Sequence, residues 1–281
     1  MLGEGEAATE LYVMLYQKGE LMSLKHIAIV LLVLGFCRTA FGEGPLVAPD
    51  NSSSSMDLIS QGMPSFDRSW SAADYSVVEG ILRDISKNDA TMLPRRDSAQ
   101  SGSVFERIVS VENLKSIQSE TNRSASASML AAYLKGIAAI LQIYASATNA
   151  QHSYDAEVLD LNVLFLEALK QTDKNASELP SSLPKESTAR NIAETNFEKM
   201  KSGTSAFFGS ILLLLGDHQE MRTSELVRFA VALKTCFSDC YDFILPGTRQ
   251  EIRVRLKNLA NSEQNEDLKN ALSGILSSFP G

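Results

Sequence analysis

The sequence predicts an all-α fold of about nine amphipathic helices packed as an irregular antiparallel helical bundle. From Ser71 onward, apolar residues recur every three or four positions, which is the period of a helix. Cap residues and glycine or proline stops separate these segments. No segment alternates convincingly between apolar and polar residues as a half-buried strand would, and no internal repeat is present. The helices are therefore expected to form one domain over 71–281, with two packed helical halves as an alternative arrangement.

The first three helices have different start signals. Ser71 with Asp74 resembles an N-cap, and the apolar stripe behind it continues to a loop predicted over 88–102. Ser103 with Glu106 has the spacing of a capping box and predicts a short second helix. A long third helix is predicted over 124–148, with small flanking residues that allow a neighbouring helix to approach closely.

The next helix opens at Ser153 and has an unusually wide apolar face, which predicts a central position. Behind it, residues 173–186 are polar and contain Pro180 and Pro184. This composition predicts a loop and an internal division between two helical halves.

Five further helices are predicted beyond this loop. A weak pattern ends at Gly203, and an apolar core segment over 206–215 stops at Gly216. A helix from about 223 to 245 ends at Pro246-Gly247, and Thr248 with Glu251 has the spacing of another capping box. The last helix follows Ser262, with acidic residues in its first turn.

The N-terminal region has the three-part layout of a secretory signal peptide. Lys25 and His26 supply a basic region, residues 27–36 are an unbroken apolar run, and Ala40-Phe41-Gly42 offers small residues for cleavage. The apolar run is too short to span a bilayer, which takes roughly 20 residues. We expect export to the periplasm or the extracellular space, cleavage after Gly42, and no stable membrane span afterwards.

The signal predicts a translation start at Met22, since signal peptides begin near a chain terminus. The codons for Lys18-Gly19-Glu20 can form a purine-rich nucleotide run at a suitable distance before Met22. Such a run would serve as a bacterial ribosome-binding site, which favours a bacterial source. Residues 1–21 would then be a mis-assigned extension that is not part of the protein; the alternative is a genuine N-terminal extension. Residues 22–42 form the signal peptide, and residues 43–70 are expected to be a flexible lead without packing of its own.

Charge excludes some partner classes. After residue 42 the chain holds 239 residues with 23 basic and 30 acidic side chains, a net charge of −7. Nucleic acid and anionic membrane surfaces attract basic proteins, so we expect neither as the main partner. The partner is expected to be a protein.

Two cysteines follow the signal, Cys236 and Cys240, and they stand one helical turn apart. An oxidising compartment favours a disulfide between them, and their Cα atoms would lie roughly 6 Å apart on a helix. The alternative is a pair of buried thiols on a core face. Both interpretations remain open from the sequence.

Catalytic and metal-binding patterns are weak. Cys236, Cys240 and His218 could supply a Cys₂His set, but no second closely spaced ligand pair accompanies them. No nucleophile motif or phosphate-binding loop occurs. We therefore expect no catalytic, cofactor-binding or metal site and no cofactor. A basic strip of Arg249, Arg253 and Lys257 could meet an acidic partner, although a solvated helix face explains the same pattern.

The sequence thus predicts an exported, non-catalytic helical protein that acts as a protein-interaction or structural module. The alternative is a helical protein that holds a small apolar ligand between its helices. The residues expected to line such a cavity are Tyr133, Tyr144, Phe207 and Phe208.

Overall fold

A computed structural model describes residues 62–118, 123–148, 153–216 and 222–279. Within these ranges the chain forms nine α-helices, two single-turn 3₁₀ helices at Ala90–Met92 and Tyr241–Phe243, and no strand. The all-α prediction and its count of about nine helices are confirmed. The helices are α1 (Ala72–Asp89), α2 (Gly102–Ile108), α3 (Glu112–Gln118), α4 (Arg123–Ala147), α5 (Asp155–Ser182), α6 (Thr188–Leu215), α7 (Thr223–Cys240), α8 (Pro246–Ser262) and α9 (Glu266–Ser277). The signal region and the proposed start at Met22 lie outside the described residues.

Helix α5 is the centre of the fold. It packs against α4, α6 and α7, while α1 covers α4, and α9 packs against both α7 and α8. Helices α5 and α6 are antiparallel, since the ring of Phe165 meets Phe207 and Thr204 meets Asp173. Buried apolar side chains from all nine helices belong to one continuous cluster. The described residues therefore share one hydrophobic core.

Helix α1 begins where the sequence predicts. The Ser71 hydroxyl accepts a hydrogen bond from the Asp74 amide at 3.3 Å, and the Asp74 carboxylate accepts one from the Ser71 amide at 2.6 Å. This is a reciprocal capping box, in which two amides that the helix leaves unpaired find acceptors. Arg68 also donates to the Asp74 carboxylate and, with Ser71, holds the pKa of that group well below its usual range.

The prediction that residues 43–70 form a flexible lead is wrong at residue 70, because Trp70 is fully buried. Its indole nitrogen donates to the Ser65 carbonyl, and its amide donates to the Asn113 side chain, each at 2.9 Å. The Tyr133 hydroxyl donates to the Trp70 carbonyl. The sequence pattern missed this anchor because a single aromatic residue has no periodicity, and its partners come from distant helices.

Helices α2 and α3 depart from the sequence prediction. Helix α2 begins at Gly102, and its N-cap Ser101 makes no side-chain capping bond, so the capping box predicted at Ser103 and Glu106 is wrong. A Cβ atom at Gly102 would lie 2.9 Å from the Arg96 carbonyl oxygen, so close packing of the loop fixes this start. Helix α3 was not predicted at all; it is a short element whose Asn113 side chain is buried and bonded to the Tyr75 hydroxyl.

Helix α4 has the small flank that the sequence predicts. A Cβ atom at Gly136 would stand 2.8 Å from Cβ of Tyr75, so only glycine lets α1 approach this closely. The segment Ala125–Ala147 is also long and apolar enough to cross a membrane. More than half of its apolar window is buried inside the fold, as in the core helix of a soluble protein.

The predicted loop over 173–186 is wrong for most of its length, because α5 continues to Ser182. Pro180 lies in the last turn of the helix and is buried, so its packing offsets the hydrogen bond that proline cannot donate. The actual connection is short, and Leu183 before Pro184 is extended, as a residue that precedes proline prefers.

Helix α6 is likewise continuous from Thr188 to Leu215, so the break predicted at Gly203 does not occur. Buried residues on both sides of Gly203, namely Met200, Thr204 and Ser205, keep the chain packed through this position. Tertiary packing here outweighs the weak helix propensity of one glycine.

Helix boundaries near the C-terminus shift by a few residues. Helix α7 ends at Cys240 and passes into the 3₁₀ turn, not into a helix that extends to Ile244. Helix α8 begins at Pro246, which suits the first helical position, and not at the capping box predicted for Thr248 and Glu251. Helix α9 begins at Glu266 with Asn265 as its N-cap, a few residues later than the start predicted directly after Ser262.

Substitution of Phe237 tests how tightly α7 packs against the core. The Phe237 side chain is 1% exposed and its ring centroid lies 4.6 Å from Phe279 and 5.3 Å from Phe208. Phe237→Ala is expected to lower the free energy of unfolding by about 3–5 kcal/mol, because it removes apolar burial and leaves a cavity. Val231→Ala, at an exposed position of the same helix, is the control and should change stability by less than about 0.5 kcal/mol. Urea denaturation gives both values, and equal effects would contradict the packing.

Candidate functional site: a buried thiol and carboxyl cluster

The candidate site lies where α5 and α7 run side by side in the same direction. Near the start of both helices Asp160 pairs with Arg228, and about two-thirds of the way along α5 Asp173 meets Cys240, the last residue of α7. Along the second part of this contact, three residues of α5 at intervals of three face three residues of α7. The pairs are Glu167 with Cys236, Lys170 with Asp239, and Asp173 with Cys240. We call the six residues, together with Thr204 of α6, the thiol–carboxyl cluster.

Both sequence-predicted cysteines belong to this cluster. They are free thiols and both are buried, which is one of the two arrangements that the sequence leaves open. The Cys236 sulfur donates to Oε1 of Glu167 at 3.2 Å. The Cys240 thiol lies against the carboxyl group of Asp173 and helps to hold its charged form.

Asp173 is the most deeply buried carboxyl group of the cluster. Its Oδ1 accepts a hydrogen bond from the Thr204 hydroxyl at 3.3 Å. Its Oδ2 is buried and has no hydrogen-bond partner of standard geometry among the described residues. Burial raises the pKa of Asp173 to about 7, although Cys240 and Thr204 oppose the shift. Burial therefore favours the protonated form of this carboxyl group over a much wider pH range than in an exposed aspartate.

The thiols are held in their protonated form. Burial, together with the charge of Glu167, raises the pKa of the Cys236 thiol to about 12. Burial raises the pKa of the Cys240 thiol further, with Asp173 adding to the effect. Since the thiolate is the nucleophile, neither cysteine is activated for covalent catalysis.

Within the described ranges, no three His, Cys, Asp or Glu side chains are grouped so that they could hold a metal ion. His218, the third ligand of the Cys₂His set considered above, lies outside the described residues. The cluster can therefore hold a proton on Asp173 and two reduced thiols, and its lone salt bridge, Lys170 to Asp239 at 2.6 Å, lies toward solvent.

The predicted basic strip on α8 is only partly available to a partner. The Arg249 guanidinium donates to the Ile244 carbonyl at 2.7 Å and the Asp242 carbonyl at 3.0 Å. It also lies over the Tyr241 ring at 4.4 Å. Arg249 therefore ties α8 to the preceding 3₁₀ turn, whereas Arg253 and Lys257 are exposed.

An ionic cluster at the other end of α5 and α7 was not predicted. Arg228 donates to Asp160 and to Glu225, and Arg96 approaches the same two carboxylates at 3.4 Å. The Arg96 amide also donates to Glu157 at 2.9 Å. The spacing of Glu225 and Arg228 indicates a helix pair, but the sequence offers no signal for the contributions of α5 and of the loop before α2.

The four aromatic residues proposed to line a ligand cavity make their ring contacts with different neighbours. Tyr133 packs on Tyr75, and Tyr144 packs on Phe105 and Tyr154. Phe207 and Phe208 instead pack against each other and against Phe165 and Phe237 respectively. The two tyrosine hydroxyls donate to backbone carbonyls, Tyr144 to that of Pro94 at 2.7 Å. These contacts do not support a single ligand cavity that all four residues line.

Comparison of the chain with protein-family models, with curated proteins and with solved structures finds no match.

Asp173 is expected to make stability depend on pH. Its pKa rises from an ordinary value of 3.8 in the unfolded chain to about 7 in the fold, so the folded state binds the proton more tightly. Below pH 3.8 the carboxyl group is protonated in both states and its contribution to stability is highest. That contribution falls as pH rises through 7, because the charged carboxylate is solvated in the unfolded chain but buried in the fold. Relative to Asp173→Asn, the wild type should lose about 2–3 kcal/mol between pH 5 and pH 8, since one pKa unit corresponds to about 1.4 kcal/mol.

Urea denaturation at the two pH values measures this difference. Asp239→Asn is the matched control on α7, because Asp239 is partly exposed and paired with Lys170; this variant should keep the pH dependence of the wild type. An unchanged pH dependence in Asp173→Asn would contradict the burial of an ionisable group at this position.

Proposed function

We propose that this is an exported, non-catalytic helical protein that works as a protein-interaction or structural module. Export is supported by the basic region, apolar run and small-residue site within residues 24–42. A protein partner is supported by the net charge of −7 after residue 42, which disfavours nucleic acid and anionic lipid.

The non-catalytic part of the proposal is supported by the chemistry of the thiol–carboxyl cluster. Its two cysteines have raised pKa values and are buried, so they lack the thiolate character of a catalytic cysteine. Asp173 has a pKa suited to proton transfer. It is nevertheless fully buried, and a general acid or base must lie within reach of its substrate.

The observation that carries the proposal is a helical hairpin formed by the end of α5 and the start of α6. We call residues 174–199 the hairpin arm. Most of its side chains are exposed, and only Pro180 and Ala193 are buried. Each of the two helices is 28 residues long, or about 42 Å at 1.5 Å per residue. The arm thus extends the fold without adding to its core.

The surface of the hairpin arm differs from the rest of the chain in charge. It carries four basic and four acidic side chains, whereas the whole chain has a net charge of −8. Neighbouring charges neutralise one another locally, as in the pair of Arg190 and Glu194 at 2.8 Å. Ile192 is 56% exposed between them. A neutral helical surface with an exposed aliphatic residue can approach a protein without long-range repulsion.

Export and contact can be tested in the cell from which the protein comes. The chain is expressed with a photo-crosslinking amino acid in place of Ile192 and, as a control, in place of Val231, which is equally exposed on α7. The exported protein should begin at Glu43. Illumination should give a discrete protein adduct from position 192 and none from position 231.

Each outcome bears on a separate part of the proposal. A chain that retains residues 1–42 in the cytoplasm would contradict export. Equal adducts from both positions, or none from position 192, would contradict a specific contact through the hairpin arm.

A further inference from the structure

The two cysteines of the thiol–carboxyl cluster occupy successive turns of one helix and face the same neighbouring helix. Regular helix geometry sets their Cα atoms roughly 6 Å apart, within the range that a disulfide spans. A bridge could therefore form within α7 after local rearrangement. Its closed loop would be too short to restrict the unfolded chain appreciably, so it would stabilise the fold little through chain entropy.

Both thiols interact with acidic side chains of α5 in the folded protein. Cys236 donates its proton to Glu167 at 3.2 Å, and Cys240 lies against Asp173. The sulfur atoms of a disulfide have no proton and cannot donate. Bridging would therefore remove the thiol proton that Cys236 donates to Glu167, and also the thiol proton that lies beside Asp173.

Asp173 has little to replace that contact. Its side chain is fully buried, Thr204 supplies a hydrogen bond to Oδ1 alone, and Oδ2 has no standard partner among the described residues. A buried polar group that loses its partner destabilises the fold, and the effect is larger for a charged group. The bridge would thus weaken the contact between α5 and α7 without a compensating gain.

We propose that Cys236 and Cys240 form a redox-sensitive pair whose dithiol form is the stable folded form and whose disulfide form loosens the packing of α5 against α7.

The reaction is an exchange with a small-molecule disulfide such as oxidised glutathione. One cysteine, as thiolate, attacks the oxidant and forms a mixed disulfide, which releases one small thiol. The second cysteine then attacks the mixed disulfide, which forms the Cys236–Cys240 bond and releases the second small thiol. Two cysteine thiols are oxidised, one disulfide is reduced, and the two protons pass to the released thiols.

Burial controls when this exchange takes place. Cys236 is 1% exposed and Cys240 is 0% exposed, so an oxidant reaches them only after local or global opening. Folding and reduction are then thermodynamically linked. If the bridge lowers the free energy of unfolding, then bridging the folded protein is less favourable than bridging the unfolded protein by the same amount of free energy.

The test uses the full chain with Cys37→Ser, which leaves Cys236 and Cys240 as its two cysteines. The protein is equilibrated in glutathione buffers of defined composition, with and without denaturing urea. Bridged and reduced forms are counted by mass after alkylation. We expect the equilibrium constant for bridging to be at least about tenfold smaller in the folded than in the unfolded protein. We also expect the bridged protein to melt at a lower temperature than the dithiol form.

Three variants distinguish the proposed mechanism from general strain. Cys236→Ala cannot bridge, so its melting temperature should not respond to the oxidant once mixed disulfides are excluded by mass. Asp173→Asn and Glu167→Gln replace the carboxyl groups by neutral amides, so bridging should lower their melting temperatures less than that of the parent.

The opposite results overturn the proposal. A bridged protein that melts at the same or a higher temperature would show that the disulfide is compatible with the fold. Failure to bridge even in urea would show that the pair cannot close. If bridging lowers the melting temperature of both amide variants as much as that of the parent, the carboxyl groups are not the cause of the destabilisation.

Discussion

The burial of α5 is the constraint on which the rest of the structure depends. Its first two-thirds carry buried apolar residues on several sides, because α4, α6 and α7 all pack against it. Where α5 is enclosed, its polar side chains need partners inside the fold. Asp160, Glu167 and Asp173 find partners on neighbouring helices. Asn162 and Thr172 instead donate to backbone carbonyls of α5 itself. The contacts with α7 align the two helices: Asp160 meets Arg228 near the start of both, and Asp173 meets Cys240 at the end of α7.

The same constraint explains why the two ends of α5 behave differently. Where the helix is enclosed, the thiol–carboxyl cluster is formed, with a carboxyl group of raised pKa and two buried thiols whose pKa values are also raised. Beyond Asp173 the helix leaves the core and pairs with the start of α6 in the hairpin arm, where side chains are mostly exposed. The enclosed half supplies stability, and the exposed half is the surface that we propose for protein contact.

The sequence predicts those features that depend on local pattern. The helical period and the cap at Ser71 are examples, and both are present in the structure. It fails where tertiary packing outweighs local preference: Pro180 and Gly203 read as breaks, yet both lie within continuous helices. The thiol–carboxyl cluster was half predictable, since Cys236 and Cys240 share a helix face. The sequence does not indicate its acidic half, because the polar composition around Asp173 predicts a loop there.

Hydrogen exchange along α5 tests the central claim most directly. Amides over 158–172 should exchange at the rate set by global unfolding, since they lie in the enclosed half of the helix. Amides of the hairpin arm, over 177–195, should exchange faster through local opening while remaining helical. Uniform slow exchange along the whole helix would contradict the division between an enclosed and an exposed half. Fast exchange over 158–172 would contradict the central position of α5.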